Sequence, residues 1–232
     1  MQWTTAYQNK YVSILGDSIS TFGGYSQPKD AAYYDTACKI ATGISTSVDT
    51  WWGQVIERLG AQLLINNSWS GSTVCNHESY QVPSYACSNE RTSSLSKNGQ
   101  APDVIFVFMG VNDWGAGFPI VGDGAEKEYA FSFAYQTMLK KLRDNYPKAE
   151  IICLTLPVSC CTAAANFQFP YFFAGRHIIE YCNSIRENAT QCGCRVIDLY
   201  NCAPPYDTID GIHPNASGMK TLAAAILQAL NE

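Results

Sequence analysis

The sequence predicts an α/β protein, a three-layer α/β/α sandwich with a central, mostly parallel five-stranded sheet. Three observations carry that expectation. Strand-like and helical segments alternate along the 232 residues, the pattern of a parallel sheet with helices on both faces. Residues 103–109 (DVIFVFM) form a continuous apolar, β-rich run, as expected of a strand buried on both sides in mid-sheet. Several of these runs also stop at turns of small residues, and ligands gather at the carboxyl ends of strands in such sheets.

Taken in order, residues 11–15 (YVSIL) make a first buried strand. It stops at Gly16-Asp17-Ser18, before the glycine-rich Phe22-Gly23-Gly24-Tyr25. The polar stretch of about 20–50 is too long for an ordinary βα loop and suggests an active-site or lid insertion. Asp49-Thr50 can cap a helix over 51–59, whose apolar Trp52, Val55, Ile56 and Leu59 share a face and which Gly60 stops. A second strand, 62–66, leads into Asn67-Ser68-Trp69-Ser70-Gly71-Ser72-Thr73. Residues 74–102 are irregular, with a short helix around 90–95. The third strand, 103–109, ends in Gly110-Val111-Asn112-Asp113-Trp114-Gly115.

A long amphipathic helix is expected over about 125–145, with Phe131, Ala134, Tyr135, Met138, Leu139 and Leu142 on its apolar stripe and Pro147 beyond its end. A fourth strand, 150–156, a proline-containing loop, a helix over about 175–191 and a fifth strand, 195–199, follow. The last loop carries Asp210-Gly211-Ile212-His213-Pro214-Asn215, and Asn215 can cap a final helix over about 216–230. With no internal repeat and no linker, residues 1–232 read as a single domain.

Composition narrows the function classes. The 47% hydrophobic fraction is globular, and the net charge of −5 comes with scattered basic residues. That leaves no electrostatic footprint for nucleic acid and disfavours anionic membranes. No apolar run approaches the ~20 residues that span a bilayer, and the first residues lack the basic start and apolar stretch of a secretory leader. The expectation is a cytoplasmic protein, the alternative being a secreted one whose leader was removed.

The chain has ten cysteines. Cys153 and Cys182 lie in apolar periodic segments and read as core thiols. Cys160-Cys161 and Cys192-Gly193-Cys194 could be metal ligands, but neither has a second Cys or His pair at zinc-like spacing, so no metal is expected. Spacing leaves a Cys75–Cys87 disulfide open, and free thiols in a reducing compartment are the default.

Gly16-Asp17-Ser18, Ser70-Gly71, Gly110-Val111-Asn112-Asp113 and Asp210-Gly211-Ile212-His213-Pro214 together resemble the SGNH branch of the GDSL hydrolases. The four blocks occur in the family's order and span nearly the whole chain, with Ile19 in place of the Leu of the name motif. The resemblance implies a flavodoxin-like SGNH hydrolase fold and an ester hydrolase without metal or organic cofactor.

Each residue type has a chemical reason to be there. A serine hydroxyl such as that of Ser18 needs a base to take its proton during attack. Imidazole, with an ordinary pKa near neutrality, gives His213 that role. Asp210, three residues earlier, can accept from the second ring nitrogen and fix the tautomer. The resemblance further implies that the backbone N–H groups of Ser18 and Gly71 and the side-chain amide of Asn112 form the oxyanion hole.

Weighed alone, Ser18 is more naturally a turn residue, and Gly71 and Asn112 could merely shape turns. Asp17 and Asp113 read as structural. His77, in a polar loop, and His177, which opens a helix, are poorer bases than His213. Tyr25, Trp69, Trp114 and Phe118 lie within a few residues of a motif and are candidate pocket walls, with plain packing as the competing reading.

The expected substrate is a small-molecule or carbohydrate ester carrying a short acyl (acetyl) group, since no long apolar lid helix is apparent. A lysophospholipase or thioesterase is the runner-up enzyme. A non-catalytic carbohydrate-binding protein on the same scaffold is the alternative of a different class, and anion binding at the glycine-rich turns is weak without a nearby Lys or Arg.

Overall fold

The computed structural model describes residues 5–26, 31–35, 37, 39–77, 84–122, 127, 129–160, 172–173 and 175–232. Five strands form the central sheet: β1 (Tyr11–Gly16), β2 (Gln62–Ser68), β3 (Val104–Phe108), β4 (Glu150–Leu154) and β8 (Arg195–Ile197). Their spatial order is β2-β1-β3-β4-β8, and every pairing is parallel. Where the sequence predicts a mostly parallel sheet, the observed one is wholly so. Its order reverses direction at β1 and β3, the doubly wound pattern in which a crevice opens at the strands' carboxyl ends.

The pleat sends alternate residues to two helical layers. On one face Trp51 meets Phe106 and Phe108 edge-on, bringing in α2 (Trp51–Leu59), which packs against α8 (Ala216–Asn231). On the other, Ser13 Oγ donates to Leu95 O at 2.8 Å, just beyond α3 (Asn89–Ser93). There α5 (Phe131–Asn145) packs on α3 and on α6 (Ile178–Gln191). All five residues of β3 are buried, as a strand covered by both layers must be.

Caps set the helix ends. Thr50 is the N-cap of α2, its side chain accepting from Gly53 N, and Gly60 closes that helix at φ 62°. Asp49 instead caps the preceding 3-10 turn, accepting from Ser45 N and Thr46 N. Asn215 caps α8 by accepting from Gly218 N at 2.9 Å. His177 opens α6 in a capping box with Glu180.

Several boundaries differ from the sequence expectation. The helix expected from about 125 starts at Phe131, because Ala130 is extended (φ −84°, ψ 137°); residues 125, 126 and 128 lie outside the described residues. The fourth and fifth strands stop at Leu154 and Ile197, and Leu199 begins a short helix, α7 (Leu199–Cys202). Small elements fill the connections: α1 (Lys39–Thr42), α4 (Val111–Ala116), the parallel pair β5 (Ser159–Cys160) and β9 (Tyr206–Asp207), and the hairpin β6 (Phe172–Phe173) with β7 (Arg176–His177).

Cys75, Cys87, Cys153, Cys160, Cys182, Cys192, Cys194 and Cys202 are free thiols, while Cys38 and Cys161 fall outside the described residues. Cys153 and Cys182 are buried in the core, where burial keeps the Cys182 thiol protonated with its pKa pushed up to about 12. Among the described residues no helix is long and apolar enough to cross a membrane, and no group of three His, Cys, Asp or Glu converges as a metal site.

Candidate active site

β1 pairs with both β2 and β3, so the segments that follow these three strands leave the sheet side by side. Gly16 aligns with Ser68 on one side and Phe108 on the other. A Cβ at Gly16 would lie 2.7 Å from both Ser20 Cβ and Ser68 Oγ, so only glycine lets the chain turn this tightly. Asp17 then caps the 3-10 turn Ser18–Ser20, its Oδ1 accepting from Ile19 N at 3.0 Å. The turn is pinned from outside by Trp51 Nε1 donating to Ser20 Oγ, and by Trp52 Nε1 and Asn66 Nδ2 donating to Ser20 O. Ser18 is only 3% exposed.

Behind β2, Ser72 N donates to Trp69 O across a tight turn with Gly71 in its third position at φ 76°. Behind β3, Gly110 (φ 124°) starts α4, and Asn112 sits in the first turn of that helix. Asn112 Nδ2 donates to Ser72 O at 2.8 Å, which links the Asn112 and Gly71 blocks directly.

The fourth block arrives from the far end of the chain. Its loop is fixed by Thr208 Oγ1 donating to Cys160 O, Ser159 Oγ to Gly211 O, Tyr206 OH to Ile212 O and Tyr34 OH to Pro214 O. Within it, Asp210 Oδ1 accepts from the backbone N–H groups of Ile212 (3.0 Å) and His213 (2.8 Å). Asp210 Oδ2 lies 2.7 Å from His213 Nδ1, and His213 Nε2 lies 2.9 Å from Ser18 Oγ. Partial burial works against charge on Asp210, but the His213 ring and these backbone donors outweigh it and hold the carboxyl well below the usual range. An ionised Asp210 can only accept, so Nδ1 carries the proton and Nε2 presents a lone pair to the Ser18 hydroxyl.

The remaining candidates fall into different surroundings. Tyr25 is 45% exposed and leans on Trp52 and Phe22. The Trp69 ring lies beneath the Arg91 guanidinium, 5.5 Å from its centroid. Trp114 is buried, its Nε1 donating to Arg176 O, and borders a narrow apolar cleft together with Ile19, Phe108, Leu156 and Ile212. Phe118 is buried and stacks on His77 at 4.7 Å. Asp113 accepts from Val74 N (2.8 Å) and Cys75 N (3.0 Å), fastening α4 to the segment after β2.

Two residues at the site have no counterpart in the sequence reading. Tyr33, from the long polar segment, lies flat on His213, with centroids 3.7 Å apart and planes 6° from parallel. Arg91, 1% exposed, donates to Gly16 O, Asn67 O and Ser72 Oγ at 3.0, 2.8 and 2.7 Å. Burial lowers its pKa to about 9, against the pull of Asp17. Neither residue stands in a periodic segment or beside a motif, so no sequence signal pointed to it.

The sequence profile of the GDSL-like lipase/acylhydrolase family matches residues 10–157, well over half of the chain. The chain belongs to this family. A candidate GDSL-like lipase from Bacteroides uniformis is 30% identical and superposes with a TM-score of 0.70, with 95% of each chain covered. Another from Bacteroides ovatus is 28% identical with a TM-score of 0.72, covering 96% of this chain and 98% of that one. The fold is also that of Est24, a carbohydrate acetylesterase from Sinorhizobium meliloti, at 16% identity and a TM-score of 0.65, covering 96% and 98%. A search of curated protein sequences returned no match. The profile ends at residue 157, whereas the Asp210–His213 block of this GDSL-like hydrolase lies beyond it and is tied in by geometry alone.

Proposed function

We propose that this GDSL-like hydrolase is a serine carboxylesterase that works through an acyl-enzyme and releases short acyl groups, acetyl above all, from a carbohydrate or another small soluble ester. The observation that carries the proposal is the continuous chain Ser18 Oγ–His213 Nε2 (2.9 Å) and His213 Nδ1–Asp210 Oδ2 (2.7 Å).

In the acylation step Ser18 Oγ attacks the ester carbonyl carbon while its proton passes to His213 Nε2. Asp210 stabilises the resulting imidazolium through Nδ1–H. Negative charge gathers on the carbonyl oxygen, and the donors assigned to it are Ser18 N–H, Gly71 N–H and Asn112 Nδ2–H. The Asn112 amide nitrogen carries two hydrogens; the one on Ser72 O fixes the plane and the other serves the oxyanion. Collapse returns the proton from Nε2 to the departing alkoxide and leaves Ser18 acylated. A water activated by the same nitrogen then releases the acid.

The short-acyl reading is supported by the cleft between Ile19, next to Ser18, and Ile212, next to His213. That cleft is narrow and apolar, which suits a short acyl chain. The carbohydrate reading is supported by Tyr25, which offers an exposed ring for stacking on a sugar face.

A fluorophosphonate probe is expected to label the wild type and not Ser18→Ala; labelling that persisted in the variant would remove Ser18 as nucleophile. Across p-nitrophenyl esters, kcat/KM is expected to be highest for acetate and to fall with chain length. A maximum at octanoate or beyond would favour the lipase or lysophospholipase alternative.

A further inference from the structure

We infer that Tyr33 is a positioning residue of the hydrolase, its ring acting as the platform that keeps the His213 imidazole in the plane shared by Ser18 Oγ and Asp210 Oδ2. The inference rests on the esterase reading above and names a part that reading does not contain.

The two in-plane hydrogen bonds of His213 restrain its ring only edgewise, through Nε2 and Nδ1. Neither bond resists a tilt that lifts one edge out of the plane. Tyr33 supplies that resistance, because at 3.7 Å and 6° its ring is in van der Waals contact across the whole imidazole face. Tyr34 adds an edge contact to His213 from 6.5 Å at 70°.

The platform is itself anchored to the nucleophile turn. Tyr33 N donates to Thr21 Oγ1 at 2.8 Å, and the Thr21 hydroxyl donates to Ser18 O at 2.8 Å. Tyr33 therefore sits one side chain away from the Ser18 backbone, and the ring stacked on the base is registered to the residue it serves. Tyr33 and Tyr34 also stack edge-to-face at 4.9 Å, and Tyr34 OH donates to Pro214 O, so both ends of the platform touch the His213 loop.

The function belongs to the ring rather than the hydroxyl. Tyr33 OH stands 3.5 Å from Asp210 Oδ2, at the outer limit of a hydrogen bond. A planar π surface also suits the charge cycle, since the imidazolium formed during attack is favoured above an aromatic face.

The test compares Tyr33→Phe with Tyr33→Leu, which keeps apolar bulk and loses the flat face. Short-ester kinetics, thermal melting and the 15N shifts of the His213 ring are measured for both. Tyr33→Phe is expected to keep kcat within about threefold, and Tyr33→Leu to lose about 10- to 100-fold in kcat with KM nearly unchanged, the scale of a misplaced catalytic group. In Tyr33→Leu the two ring nitrogens are expected to move towards averaged shifts, while the wild type and Tyr33→Phe show a protonated Nδ1 and an unprotonated Nε2.

Equal activity in all three proteins would overturn the inference. So would equal losses in Phe and Leu, which would assign the effect to the hydroxyl, or a Leu loss that vanished once melting was taken into account. Failure of the esterase reading would show separately, as fluorophosphonate labelling that persists in Ser18→Ala or is missing from the wild type.

Discussion

At the scale of single residues, the proposed mechanism depends on donors that meet a charge present only in passing. The Asn112 donor raises kcat only in so far as it binds the oxyanion more strongly than the ground-state carbonyl. Asn112→Ala is therefore expected to lower kcat by about 10²- to 10³-fold with little change in KM, in steady-state kinetics on the best short ester. Ser18, Asp210 and His213, which the structure joins in one hydrogen-bonded chain, stood out in the sequence because each lies in a turn directly after an apolar strand or before the final helix. Chemistry and punctuation coincide there. Tyr33 was not legible, because its meaning comes from His213, 180 positions away, and no local pattern encodes that distance. Trp114 and Phe118 show how little closeness to a motif says about surroundings. Both rings are buried, at 1% and 5% exposure, yet Trp114 borders the apolar cleft beside Ile19 and Ile212 while Phe118 stacks on His77.

At the scale of elements, the ends of β1 and β2 and the Gly71 turn are cross-tied by one side chain. Arg91 reaches from α3 to a carbonyl at each strand end and to the Ser72 hydroxyl. Replacing it by Met would leave those acceptors buried without their donor and leave Asp17 without its nearby positive charge. Arg91→Met is expected to cost about 3–5 kcal/mol of unfolding free energy, read from urea denaturation. A cost below about 1 kcal/mol would mean that the turns hold themselves. The sequence marked a short helix here and placed it within a residue or two, but a polar five-residue helix gives no hint that its arginine points inward. The α5 boundary was missed for a related reason: helical spacing of apolar residues says where a stripe lies, not where the backbone first becomes helical.

At the scale of the whole molecule, the buried acids set the response to pH. Burial pushes Asp17 up to about 7 and Asp113 up to about 6, in both cases against hydrogen bonds from backbone N–H groups. Each binds its proton more tightly folded than unfolded, so stability falls as pH rises from about 4 towards 7 and the native state loses protons that the unfolded chain has already released. Asp210 works the other way. Its carboxyl is held low, so its contribution is present above about 4 and is lost as pH falls below that. Melting temperature is therefore expected to peak in mildly acidic buffer. Asp17→Asn, which keeps an oxygen for Ile19 N, is expected to flatten the decline between pH 4 and 7. An unchanged slope would mean that Asp17 is ionised throughout. The overall sheet was legible from the alternation of strands and helices, whereas this electrostatic interior was not, since burial of an Asp beside a serine cannot be read from its neighbours in the chain.

The hydrogen bond from Ser18 to His213 bridges 195 positions of sequence, and that span has a consequence for the chain before it is complete. While it emerges from the ribosome, the proposed nucleophile is made 195 residues before its proposed base. On the proposed mechanism Ser18 is an ordinary alcohol until His213 has been made and folded against it. The same separation holds if the backbone is cut at the exposed Asn98-Gly99 turn. One piece then carries Ser18 and Gly71, the other Asn112, Asp210 and His213, and on the proposed mechanism each is expected to be inactive without its complement. On the proposed mechanism hydrolysis is a property of a closed circuit, and its appearance marks the moment when the first strand and the last helix have found the same fold.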